Sequence, residues 1–308
     1  MKSRILAAID GSDQAMDAVR YISRIFPSQN TKVVLLHIST EYPESFLDLS
    51  MTYASNSSST SINSWKNQMK KNIEKFMADA KLILTGAGFP SESVIIKIHE
   101  KKIGVARDIL EESRTGYSLV VAGRTGVSRI KDVIIGSIAF KLIGRVPHIP
   151  VVTVVGNPDS KKILIGFDGS NGAKKAVDYV AKLLGGTDCE VTLTHVIRPM
   201  GNLFGQIGLF TPAEEAEYIA INSKMIEPAF IRGEYCLKKG GFSSGHISRE
   251  ILTMETSRAA AITHKAEEEG YGTIVVGRRG ISKVEEFIMG RVSTKVLNMV
   301  TKAAVWIV

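Results

Sequence analysis

The chain has 308 residues, 44% of them hydrophobic and 23% charged, a composition that excludes disorder and leaves room for two domains with separate cores. The formal net charge of +8 would suit nucleic acid, but Lys and Arg are spread along the chain with no clustered aromatic and basic surface, so such a partner is not expected. Cys189 and Cys236 lie in no CxxC or metal-ligand spacing, and the apolar run Ile5 to Ile9 stops at Asp10, too short for a signal-peptide core. With no other stretch long enough to span a bilayer, a cytoplasmic, membrane-free protein with reduced thiols is expected.

Arg4 to Ile9 reads as a buried strand, followed by a helix capped at Ser12 or Asp13 and running to about Phe26 before Pro27. Val33 to Ile38 is a second strand. The Ser-, Pro- and Tyr-rich run Thr40 to Thr60 reads as a loop or insertion, and a long helix over Ile62 to Thr85 is stopped by Gly86 and Gly88. A strand at Val94 to Ile98, a helix at Val105 to Glu112 and a strand at Leu119 to Ala122 follow. A glycine-rich loop then leads into a helix with apolar positions Ile134, Ile135, Ile138 and Leu142, and Val151 to Val155 forms a fifth strand.

Gly156, Asn157, Pro158 and Asp159 are a short polar break, which divides the chain into units 1–156 and 160–308. The second unit repeats the first. RILAAIDGSDQAMDAV from Arg4 aligns with KILIGFDGSNGAKKAV from Lys162, setting Asp10 against Asp168, and His37 falls on His195 at the same spacing of 158 residues; later, Gly123 falls on Gly277 at 154. Strands are expected at Lys162 to Phe167, Glu190 to Ile197, His246 to Leu252, Thr273 to Val276 and Ala303 to Val308. The glycine- and proline-containing run Arg198 to Thr211 replaces the Ser-rich loop, before a helix from Pro212 to Lys239. Apolar strands alternating with helices imply an α/β fold, two tandem doubly wound parallel-sheet domains covered on both faces.

The glycine-rich crossing is the stretch with chemistry in it. Gly123 and Gly126 are followed, nine residues on, by Gly136 and Ser137, and the second unit has Gly277 and Gly280, then Gly290 after the same gap. Glycine lets a ligand approach the backbone, successive amides form a concavity for anions, and a helix start adds unpaired N–H donors: together this is phosphate-binding chemistry. A glycine-rich turn built only for packing would look similar, but the spaced recurrence favours a ligand.

Those residues resemble the G-x2-G-x9-G-[S/T] signature of the universal stress protein family, and nearly the whole chain is similar to a tandem member of it. The resemblance implies Rossmann-like domains of five strands in the order 3-2-1-4-5, pairing of the two units through their last strands, and ATP bound with Mg2+ or Mn2+. It implies that Asp10 lies near the ribose and the metal, that the backbone of Ile38 faces adenine, that Gly123 and Gly126 offer amides to the phosphates, and that Gly136 and Ser137 hold the far phosphate. Arg124, with Arg129 and Lys131, could neutralise charge there or be a solvated loop cation. Asp168, Val196, Gly277, Gly280, Gly290 and Arg291 make the corresponding second set, with Arg291 where the signature has Ser or Thr, so occupancy there is left open. Ser293, two residues on and about 200° around an ideal helix, is a poor substitute.

Asp10-Gly11-Ser12 reads equally as a capping turn, and His37 and His195 as hydrogen-bonded structural residues. Neither a Walker loop nor a pyrophosphatase loop is present, and no clear general base stands beside the glycines. The expected function is therefore ATP-dependent regulation in a stress response without dedicated catalysis. A nucleotide-free interaction scaffold and a slow ATP hydrolase are the alternatives, and a homodimer is left open.

Overall fold

The computed structural model describes residues 3–40, 59–124, 137–200, 210–253, 257–280 and 289–308. In the first half, strands β1 (Ser3–Ala8), β2 (Thr31–Ser39), β3 (Val94–Glu100), β4 (Leu119–Gly123) and β5 (Val151–Val154) alternate with helices α1 (Asp13–Ile25), α2 (Ser59–Gly86), α3 (Val105–Ser113) and α4 (Ser137–Arg145). The second half has β6 (Lys162–Gly166), α5 (Asn171–Leu184), β7 (Glu190–Ile197), α6 (Pro212–Lys239), β8 (Ile247–Thr253), α7 (Arg258–Glu268), β9 (Thr273–Val276), α8 (Arg291–Met299) and β10 (Ala304–Ile307). All ten strands form one sheet, β3-β2-β1-β4-β5-β10-β9-β6-β7-β8. Each half thus has the expected 3-2-1-4-5 order.

Every pairing is parallel except that of β5 with β10, which is antiparallel with Val152 opposite Trp306. Those two residues occupy the same position in the repeat, so a local twofold axis passes between them. Strand alternation sends Ile5, Ala7, Val33 and Leu35 to one face, under α1 and α2, where Ile22, Met77, Ala80 and Leu84 complete the layer. Leu6, Val34 and Leu36 go to the other, under Ala106 and Ile109 of α3 and Leu142 and Ile143 of α4. Both layers continue across the β5–β10 junction into the second half.

The junction is also tied by side chains. The buried Trp306 Nε1–H donates to the Tyr21 hydroxyl of α1 (2.8 Å), which lies 2.9 Å from Thr273 Oγ1 of β9, and the Trp306 and Phe26 rings stack at 5.8 Å. Burial pushes the Tyr21 hydroxyl far above its ordinary pKa, so it is a neutral donor and acceptor at any physiological pH. Arg24 reaches from α1 to the polar break, bonding Asn157 Oδ1 at 2.6 Å and the Pro158 carbonyl at 2.9 Å.

Local differences from the sequence expectation are small. The helix α2 starts at Ser59 rather than Ile62, taking in part of the Ser/Thr run, since such residues are tolerated near a helix start. A 3-10 turn, Ser244–His246, delays β8 to Ile247. The α6 bounds agree with expectation: Thr211 and Glu214 form a reciprocal capping box at its start. Among the described residues, no helix is long and apolar enough to cross a membrane.

Candidate functional site

The first strand is the switch strand of each half. Adjacent β1 and β4, in register at Ala8 and Ala122, feed helices on opposite faces: α1 joins one core layer and α4 the other. The crevice between their carboxyl ends is where a doubly wound sheet leaves room for a ligand. Asp10, two residues past β1, and Gly123, the last residue of β4, both stand at it.

Asp10 is partly accounted for by local structure. Its Oδ1 accepts from the Ser12 N–H (3.0 Å) and hydroxyl (2.6 Å), while Ser12 Oγ accepts from the Ala15 N–H at 3.2 Å and caps α1. Asp168 repeats the turn through the Ser170 N–H at 3.0 Å, and Ser170 caps α5. In the second half, a Cβ built on Gly280 would lie 2.8 Å from Asp168 Oδ2, so the second glycine of the loop sits directly against the carboxylate.

The first glycine of each loop meets protein. A Cβ on Gly123 would fall 2.8 Å from the Gln14 carbonyl carbon and oxygen, and one on Gly277 would fall 2.6 Å from the Gly172 carbonyl carbon. Both distances are shorter than real Cβ contacts, so packing against the first turn of α1 or α5 alone demands glycine there. Close backbone approach is real at both positions, and the partner that requires it is a helix.

His37 Nδ1 lies 2.8 Å from the Ile9 carbonyl and His195 Nδ1 lies 2.9 Å from the Phe167 carbonyl. A carbonyl only accepts, so each Nδ1 carries the proton. Burial lowers the His195 pKa, which keeps that ring neutral. The two imidazoles buckle the second strand to the end of the first. Ile38 and Val196, the next residues, are buried in the core layer; what they can present to a ligand is backbone.

The loop arginines go elsewhere. Arg124 Nη1 donates to the Leu297 carbonyl (3.2 Å) and to that of Val300, at the far end of α8 in the other half. Arg278, its repeat counterpart, donates to the Ile143 carbonyl and, from Nη2, to that of Val146 at 2.8 Å, at the end of α4. In the second half the loop also closes on itself: the Gly290 N–H donates to the Arg278 carbonyl (2.8 Å), and the buried Ser293 hydroxyl lies 3.1 Å from the Gly277 and Arg278 carbonyls. Gly290 is the N-cap of α8, and Arg291 stands exposed in its first turn. Ser137 opens α4. Gly126, Arg129, Lys131 and Gly136 lie outside the described residues.

Thus Asp10 stands with Gly123, and Asp168 with Gly277 and Gly280, while Arg124 turns away toward the other half. Sequence reasoning missed the arginine contacts and the Ser293 latch. The recurrence of an arginine after the first glycine of both loops was the one available signal.

Comparison with known proteins supplies an independent line. The universal stress protein family matches residues 1–155 and again 160–308. Universal stress protein YxiE of Bacillus subtilis (strain 168) is 28% identical over 150 residues, covering 46% of this chain and 93% of that protein. Among solved structures, a universal stress protein from Archaeoglobus fulgidus DSM 4304 aligns over 99% of this chain and 95% of its own, at TM-score 0.60 and 18% identity. A functionally unknown protein from Pseudomonas aeruginosa PAO1 aligns over 100% and 92% at TM-score 0.54 and 15% identity. The likeness to these two structures is one of fold.

Proposed function

Since the chain belongs to the universal stress protein family along both halves, we propose that it is an adenine-nucleotide-binding regulatory protein, with ATP held in the first half at the β1–β4 crevice. One observation carries the reading: adjacent β1 and β4 deliver Asp10 and the start of the glycine loop to one sheet edge, with their following helices on opposite faces. The residues suit the group. Loop amides and the start of α4 offer N–H donors to phosphates, and Asp10, with Oδ1 committed to Ser12, keeps its second oxygen for a ribose hydroxyl or a cation. No cluster of three or more His, Cys, Asp or Glu able to hold a metal exists among the described residues. A divalent ion would therefore be held by Asp10 and the nucleotide's own phosphates, the usual way Mg2+ is bound.

The second half is better suited to a nucleotide-free, structural role. Its Gly290 amide is spent on the Arg278 carbonyl, Ser293 is spent inside the loop, and Gly280 presses on Asp168. Pairing through β5 and β10 makes the single chain a pseudo-dimer in which the second half serves as the partner of the first.

Melting the purified protein with and without Mg-ATP tests the reading. A ligand at a hundred times its Kd adds about 2.7 kcal/mol to the folded state and raises Tm accordingly. The rise should vanish in Gly126→Val and survive Gly280→Val. No shift at millimolar Mg-ATP, or an unaltered shift in Gly126→Val, overturns the proposal.

A further inference from the structure

The helix ends at the centre of the molecule are completed from the wrong half. Helix α4, nine residues long, finishes at Arg145, and α8, also of nine, finishes at Met299. The last carbonyls of a helix have no partner within it, and neither helix closes with a glycine: Val300, the C-cap of α8, is extended at φ −62° and ψ 131°. The missing donors come from Arg278 to Ile143 and Val146, and from Arg124 to Leu297 and Val300. The four acceptors are repeat counterparts of one another, so the exchange is reciprocal. A cation at a helix carboxyl end is also favoured by the helix dipole. Both guanidiniums are half-buried, with pKa values lowered by loss of water, and no ion pair to a carboxylate joins either one among the described residues.

Each arginine directly follows the first glycine of its own loop, and each grips the helix whose other end carries the opposite half's phosphate-end residue, Ser137 on α4 or Gly290 and Arg291 on α8. We infer that Arg278 is a positioning residue for the first half's site, holding α4 so that Ser137 is correctly placed, and that Arg124 does the same for α8. The first site is then complete only when the second half is docked. The inference takes its ligand from the nucleotide site proposed above, but its structural part can be read without one.

The test uses the full chain with Arg278→Ala, Arg278→Lys and Arg124→Ala. Without nucleotide, amide exchange over 137–146 should quicken roughly tenfold in Arg278→Ala, since two charge-assisted bonds to that helix end are lost. Arg278→Lys should recover part of the protection, and 291–300 should be unaffected. Arg124→Ala should give the mirror image. Loosening of the whole molecule would quicken both helices at once, so this cross-pattern separates positioning from general stability. Mg-ATP affinity should fall roughly tenfold in Arg278→Ala, although the residue lies in the other half. Unchanged exchange over 137–146 overturns the inference, as does exchange that responds while Mg-ATP affinity does not. If exchange responds and the wild-type chain binds no Mg-ATP, the nucleotide reading fails, while the cross-half grip on α4 is upheld.

Discussion

The two loops at the sheet's carboxyl edge share a glycine spacing but divide their hydroxyls differently. In the first half Ser137 opens the helix and Ala139 lies two residues in, buried; in the second, Arg291 opens the helix and the buried Ser293 takes the place of Ala139. The Ser293 hydroxyl is turned back on the loop's own carbonyls, 3.1 Å from Gly277 and Arg278. The helix beneath follows suit, with Gln14 in the first half and Gly172 in the second, and Gly172 allows the loop so close that a Cβ there would be 2.3 Å from the Arg279 carbonyl oxygen. The second loop is thus latched onto its own carbonyls. The sheet's centre is asymmetric too: Val152 faces Trp306 across the local axis, where a homodimer would have to place identical residues.

The heaviest test of that asymmetry is at the centre. Trp306→Val would give the two halves the same residue at the axis, removing the ring stacked on Phe26 and the donor to Tyr21. Loss of a large buried aromatic costs about 3–5 kcal/mol, and a retained valine should bring the cost to the lower end of that range in urea unfolding. A cost below 1 kcal/mol, on the order of a surface change, would mean that the junction does not depend on the mismatch. Next is Gly172→Ala. A helix gains about 0.5–1 kcal/mol from such a change, but overpacking against backbone costs about 1–3 kcal/mol, and a 2.3 Å approach to a carbonyl places this site at the upper end. Gln14→Ala, its counterpart, already carries a Cβ and should be neutral within about 0.5 kcal/mol.

Much of this architecture is legible from residues alone, and the reason is physical. Alternation such as Ile5, Leu6, Ala7 serves a strand buried on both faces, and a repeat of 154–158 residues can only be two copies of one unit. The turn chemistry at Asp10-Gly11-Ser12 and the Thr211–Glu214 cap are local, so they too can be read in the chain. What escapes is contact over distance. Arg124 meets Val300, 176 residues away, and nothing near Arg124 announces it. Nor does glycine spacing reveal what the bare backbone touches: Gly123 is needed by Gln14 whatever ligand the loop holds. A family signature records that glycine is required at a position; several neighbours can be the cause.

Ser293→Ala gives the second loop the first loop's residue. Two part-buried carbonyls would lose their shared donor; leaving a fully buried group unpaired costs about 1–3 kcal/mol, and because these are partly exposed and Arg278 O still accepts from the Gly290 N–H, a loss near the lower bound is expected. Faster amide exchange at Gly290 than in the wild type would mark the loop's release, and an unchanged rate would show that Ser293 is no latch.

The smallest effect concerns His195. Burial outweighs the Phe167 carbonyl bond and the nearby Asp168, both of which favour the charged ring, while Arg258 adds to the lowering. With its native pKa below the ordinary value of about 6.5, His195 stays neutral while the unfolded chain takes up a proton. The unfolded state then binds more protons, so stability falls as pH drops from about 6.5 toward the native value and is unaffected above that window. The slope from one such group cannot exceed about 1.4 kcal/mol per pH unit. His195→Asn keeps an N–H donor for the Phe167 carbonyl without a titrating ring, so its stability should be flatter between pH 7 and pH 5, on the order of the window that the ordinary histidine value sets. Equal slopes in the two proteins would mean that the ring takes up its proton as readily folded as unfolded, contrary to the lowering that burial imposes.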